Sequence, residues 1–367
     1  MIQHLPKVRE SRWELMRIVA MLMIVSGHCL GQSGFYAQAA GWNAWMGAFV
    51  GSGSRIAVNV FLFLGCWFMV DAPFRARRVV RLYLEVWCYV APITLVVVLL
   101  GFPVPLKDIV RGIFPFLGKT VWFASAYLAL LLFSPWLQKI LAWPRRSLRL
   151  LLFVGFALTS FWVTVYTFDR TEDQWLDILV WFSFSYLFVG YYKRYLAQKI
   201  RIGKWKVLAL TLLLYVVLVG TSMTQTGLLH KLASAYLGDY KTIPNVLCAM
   251  GLFYFFQHTE LGCNRVINWF AASAFAVYII HQTPAFIPVL WKRIFQSEYW
   301  TMSSYSVGFG LLVVFTVYFG CTLIDHVRKT WVEPRLINNF LIEGVERWID
   351  GIYADALDSD PRDSDDT

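Results

Sequence analysis

Arg17 and His28 stand eleven positions apart in the apolar run RWELMRIVAMLMIVSGHCL (12–30). With 3.6 residues per turn and a 1.5 Å rise, that offset is three turns, so the two side chains share one helical face about 16 Å apart along the axis. The full stripe reads Glu14, Arg17, Met21, Ile24, His28. Glu14 lies three residues before Arg17, where a carboxylate lowers the cost of keeping the guanidinium near a membrane. A histidine can take a proton from an attacking hydroxyl near neutral pH, the task of a general base. An arginine can hold a phosphate or carboxylate, or fix the depth of the helix. Ionisable groups within a spanning helix are costly and usually face a protein interior or a wet cavity. The plainer reading is a positive flanking charge at Arg17 and a histidine satisfied by a neighbouring helix.

The element that must position this pair is a membrane helix. The 367-residue chain is 58% hydrophobic and only 15% charged, with a mean hydropathy of +0.55. Apolar windows near the ~20 residues needed to cross a bilayer recur along it. They predict an all-α, polytopic membrane protein with about ten transmembrane helices, near 16–34, 53–72, 83–101, 120–141, 148–167, 175–192, 207–224, 243–259, 267–290 and 304–325. Cytoplasmic loops are enriched in Lys and Arg. The segments at 7–17, 75–81, 145–149 and 193–206 therefore place both termini in the cytoplasm, leaving Arg55, Lys107, Arg111, Arg170, Lys231 and Lys292 outside. The longer outer loops, 35–52, 102–119, 225–242 and 291–303, could cover an extracytoplasmic acceptor. Their Trp42, Trp45, Trp291 and Trp300 also suit an interfacial aromatic belt. Residues 1–330 read as one membrane domain. Residues 331–367 read as a cytoplasmic tail with a modest amphipathic helix from Trp331 to Tyr353 and a disordered acidic end. A basic start, an apolar run and Ala37-Gln38-Ala39 also resemble a cleavable secretory signal, but His28, Gln32 and the many later spans favour an uncleaved first helix.

Arg75, Arg77, Arg78 and Arg81 form a compact cationic cluster after the second span. Arginine forks bind phosphate through paired hydrogen bonds, so the cluster suits an anionic donor such as coenzyme A. Ordinary positive-inside charge or contact with lipid heads is the alternative. Topology accounts for the +10 net charge without nucleic acid, because basic runs split by apolar crossings make no continuous phosphate-binding surface. The six cysteines lie in or beside apolar spans without CxxC spacing and read as small hydrophobes. Glu85, four residues from Arg81, reads as its structural ion-pair partner. Asp325 and His326 lack further ligands for a metal, and no metal is expected.

In order and spacing, Arg17 with His28 and then Arg75-x-x-Arg78 resemble the acyltransferase-3 family of integral membrane acyltransferases. Glu14-Leu-Met-Arg17 is similar to its acidic-x-x-Arg opening, and Phe61 to Met69 to its second-helix motif. Trp122-Phe123 with Tyr127 and Pro135, and Tyr278-x-x-His281, resemble two later segments. Where that family usually has Ser-Gly, this chain has Gly65-Cys66, which weakens any serine role there. The resemblance implies transfer of an acyl group, commonly acetyl, from cytoplasmic acyl-CoA to a hydroxyl of a cell-surface or lipid-linked carbohydrate, in the plasma membrane of a bacterium. It makes His28 the general base or a transient acyl carrier. It makes Arg17 the residue that orients the donor or stabilises developing charge, and Arg75 and Arg78 the ligands of the CoA phosphates. His281 would place the acceptor or brace a helix. A glycolipid or solute transporter with a buried Arg/His coupling site is the competing class, but paired half-length spans and an inverted repeat are not apparent.

Overall fold

A computed structural model describes residues 9–116, 121–165, 175–224, 227–301, 303–337 and 340–358. Lys7, Arg170 and the acidic end from Ser359 lie outside them. The described residues are helical, with no strand among them. Seven helices are long and apolar enough to cross a membrane: α1 (Ser11–Gln32), α2 (Gly41–Met69), α3 (Ala76–Leu99), α4 (Trp122–Leu141), α5 (Arg145–Val165), α7 (Lys204–Ser222) and α10 (Ser306–Arg335). Three shorter apolar helices occupy the other expected positions: α6 (Trp175–Tyr191), α8 (Ile243–Gln257) and α9 (Arg265–His281). At 15 residues, α8 rises only about 22 Å, less than a bilayer's hydrocarbon thickness.

Helix α1 is the axial element. It packs along α2 and also meets α8, α9 and α10, which is why Met16, Met21 and Val25 lose nearly all exposure. The α1–α2 crossing corrects the expected second span. The expected span begins at residue 53, but α2 starts at Gly41 and runs through Gly51-Ser-Gly-Ser54, whose small residues let the helices approach closely. A Cβ on Gly27 would sit 2.3 Å from the Ser54 side chain, so any larger residue there would push the crossing apart beside His28.

The expected outer loops also contain short helices, Leu106–Ile113, Leu228–Gly238 and Ser297–Trp300. Two of the supposed belt tryptophans are internal: Trp291 is fully buried, and buried Trp300 donates to the Phe295 carbonyl at 3.0 Å. At the far end, α11 (Phe340–Asp358) docks on α3 and α4. The Asp350 carboxylate accepts the Ala76 amide at 2.9 Å, and the Tyr353 hydroxyl donates to the Leu132 carbonyl at 2.9 Å.

Candidate functional site

Two neighbouring cavities of the bundle share a wall, for Phe61, Phe123 and Phe275 line both. These three residues, from α2, α4 and α9, form a collar between them. At the basic end is a vestibule of about 720 Å³ whose wall carries Arg9, Arg17, Arg81, Arg328 and Lys329 with Glu14 and Glu85. On the other side of the collar is a chamber of about 170 Å³ lined by His28, Arg55, Ser54, Trp122 and Tyr278 with apolar neighbours.

The chamber's chemistry rests on two histidines from opposite ends of the sequence. His28 Nδ1 lies 2.9 Å from His281 Nε2, with the rings tilted at 46°. The fully buried His281 places its own Nδ1 2.5 Å from the Val277 carbonyl, one turn back in α9. Valence then fixes the proton positions in the neutral pair. A carbonyl can only accept, so His281 Nδ1 donates and its Nε2 presents a lone pair; His28 Nδ1 donates to that lone pair. The His28 nitrogen left for the chamber is Nε2, with its own lone pair free. His281 thus fixes the tautomer and orientation of His28, as a carboxylate does in a catalytic triad.

The chamber wall is held by polar contacts that the apolar pattern did not disclose. The buried Trp181 indole donates to Asn59 at 3.1 Å, and Asn59 donates to the Tyr240 carbonyl. Tyr240 stacks on Trp122 at 5.6 Å. The neighbouring Lys241, fully buried, is ion-paired with Asp177.

In the vestibule, Arg17 pairs with Glu14 at 2.5 Å, with 28% of its side chain exposed. Of the remaining cations, Arg9 precedes α1, Arg81 comes from α3, and Arg328 and Lys329 come from a π turn, Arg328–Val332, that follows Val327 in α10. Arg328 donates to the Tyr89 hydroxyl at 2.6 Å and to Asp325 at 3.1 Å, and lies 3.0 Å from Glu333. Lys329 pairs with Asp325 at 2.6 Å and donates to the Ala272 carbonyl at 2.6 Å. That carbonyl is freed because α9 is interrupted between Ala271 and Ala274. Non-helical backbone at membrane depth survives where it is buried or lines a cavity. Ala272 does line the vestibule.

Glu85 corrects the expected pairing: its cation is Arg328, at 3.7 Å, whereas Arg81 pairs with Glu333. Arg75 and Arg78 do not line the vestibule. Arg75 is exposed at the start of α3, and Arg78 donates to the Pro73 carbonyl of its own loop at 3.1 Å. The signal for Arg81 was present in its position one turn after Arg78. Arg328 and Lys329 fell beyond the expected end of the last span. Gly65, in the second-helix motif, leaves room for the Tyr127 ring, which a Cβ there would meet at 2.8 Å. Among the described residues, no group of three or more His, Cys, Asp or Glu is arranged to hold a metal ion. Cys29 is fully buried beside His28 in sequence and is absent from the chamber wall.

Residues 10–325 match the family model described as an acyltransferase domain (acyltransferase-3). No curated protein and no solved structure matches the chain.

Proposed function

The chain belongs to the acyltransferase-3 family and is a membrane acyltransferase; from that premise we propose that it moves an acetyl group from cytoplasmic acetyl-CoA to a hydroxyl of a cell-surface or lipid-linked carbohydrate. The observation that carries this reading is the arrangement of a cationic vestibule and a histidine-bearing chamber on either side of one phenylalanine collar. In a bacterial plasma membrane with both termini inside, the vestibule opens to the cytoplasm and the chamber lies toward the surface where the glycan is presented.

Cations outnumber carboxylates five to two on the vestibule wall. A guanidinium has five N–H donors, so pairing with one carboxylate leaves others for phosphate. Arg81 and Lys329 hold the donor phosphates, Arg17 orients the arm that leads to the thioester, and Arg78 and Arg75 extend the cationic surface outward. The thioester passes the collar and meets His28. His28 Nε2 takes the acceptor hydroxyl proton as that oxygen attacks the thioester carbonyl; the new C–O bond forms and the carbonyl π electrons move to oxygen. As the C–S bond breaks, the imidazolium returns its proton to the departing thiolate. His281 supports the charge on His28 through the Nδ1 hydrogen bond, and the Glu14 pair holds Arg17 in place.

Incubating the purified protein in nanodiscs with radiolabelled acetyl-CoA and a panel of surface glycans tests the reading. Covalent label on a glycan is the expected result. Passage of unmodified glycolipid or solute across proteoliposomes, with no label transferred, would replace it with a transporter.

A further inference from the structure

Arg55 is the charged residue of the chamber. It lies on α2, six residues before the collar phenylalanine Phe61, and shares the wall of a 170 Å³ space with His28. Among the described residues it forms no ion pair, whereas Arg17, Arg81 and Arg328 are all paired. Its side chain is exposed, and with no ion pair its five N–H donors are open to a ligand or a reacting group in that space. The chamber holds only a few substrate atoms, so a cation on its wall faces whatever His28 faces. Arg17 cannot serve the same centre. It lies three turns nearer the basic end of α1, in the other cavity and paired with Glu14.

Resting on the acetyl-transfer reading, we propose that Arg55 is a further catalytic residue, which stabilises the negative charge that develops on the thioester carbonyl oxygen. The reaction needs such a group. When the acceptor oxygen attacks, a neutral carbonyl oxygen becomes an oxyanion, and a pre-positioned donor in a water-poor site is worth about 10²–10³ in rate. His28 is then cationic and faces the attacking oxygen. Arg55 supplies N–H donors to the carbonyl oxygen and returns unchanged when the carbonyl reforms and the thiolate leaves.

The test uses the full chain in nanodiscs, with Arg55→Met, Arg55→Gln and Arg55→Lys. Turnover is measured on acetyl-CoA with glycan and with water alone as acceptor, across pH, and donor binding on the same samples reports folding. The expected result is a loss of about 10²–10³ in kcat for the Met and Gln variants. The loss extends to hydrolysis, persists at every pH, leaves the KM of donor and acceptor within about threefold, and is partly rescued by Lys. Hydrolysis at the wild-type rate combined with a raised acceptor KM would overturn the proposal and make Arg55 an acceptor anchor. A loss that disappears at higher pH would overturn it as well, since Arg55 would then act only on the protonation of His28. Wild-type protein that consumes no acetyl-CoA with either acceptor removes the underlying reading too, while active wild type with unimpaired Arg55→Met removes this inference alone.

Discussion

The vestibule and the chamber meet at one collar but are built on opposite electrostatic plans. The vestibule is large and crowded with charge, with Arg17, Arg81, Arg328 and Lys329 tied to the carboxylates of Glu14, Glu85, Asp325 and Glu333. The chamber is small, and its two histidines sit in a chain of hydrogen bonds that ends on a backbone carbonyl and would place each proton of a neutral pair. Multiply charged phosphates need many donors and tolerate water. A base needs a bare lone pair and little water, because solvent would compete for the proton and the acyl group. In the proposed transfer, separating the two lets each environment suit its task, and the thioester passes an aromatic constriction between them.

Chamber and vestibule variants should therefore fail differently. The largest effect is expected at His28, where alanine removes the base: kcat should fall by about 10²–10⁴ in the radiolabel assay while donor binding persists. Next is His281→Phe, which keeps an aromatic ring but deletes the lone pair that His28 Nδ1 uses. Transfer should drop by about 10–10², without a change in donor KM, because the base loses its fixed tautomer and orientation. In the vestibule the signature reverses. Arg81→Met combined with Lys329→Met should raise the donor KM by about 10–100-fold, the worth of charge-assisted hydrogen bonds, and leave kcat within a few-fold. That KM should also rise with salt in the wild type, because exposed charges are screened. The smallest effect belongs to Arg75→Ala, which should change donor KM by less than about twofold, since Arg75 is exposed and lies outside the vestibule wall. A vestibule variant that mimics His28→Ala would erase the distinction.

The parts of this arrangement legible in the sequence are those set within one helix. The eleven-residue spacing placed Arg17 and His28 on one face, and Glu14 three residues earlier is indeed ion-paired with Arg17. The apolar windows located the helices, though the expected second span, from 53, missed the first twelve residues of α2, whose small residues near Gly51 serve a close helix crossing. Arg55, near the start of that expected span, reads only as one of the outer charges. Contacts between distant segments were not legible. Nothing in Tyr278-x-x-His281 says that its histidine receives a hydrogen bond from His28, 253 positions away. The collar is three phenylalanines among 29, ordinary in a lipid-facing chain until three helices bring them together. The exchange of partners between Arg81 and Arg328 depends on the π turn at Arg328, which redirects side chains past the expected end of the last span.

Division of labour between the two cavities is tested most directly by one paired measurement on His28→Ala: acetyl-CoA binding and single-turnover acetyl transfer from the same preparation. The account predicts donor binding within about twofold of wild type and transfer slower by at least about 10². Transfer at the wild-type rate, or loss of donor binding together with transfer, would contradict it.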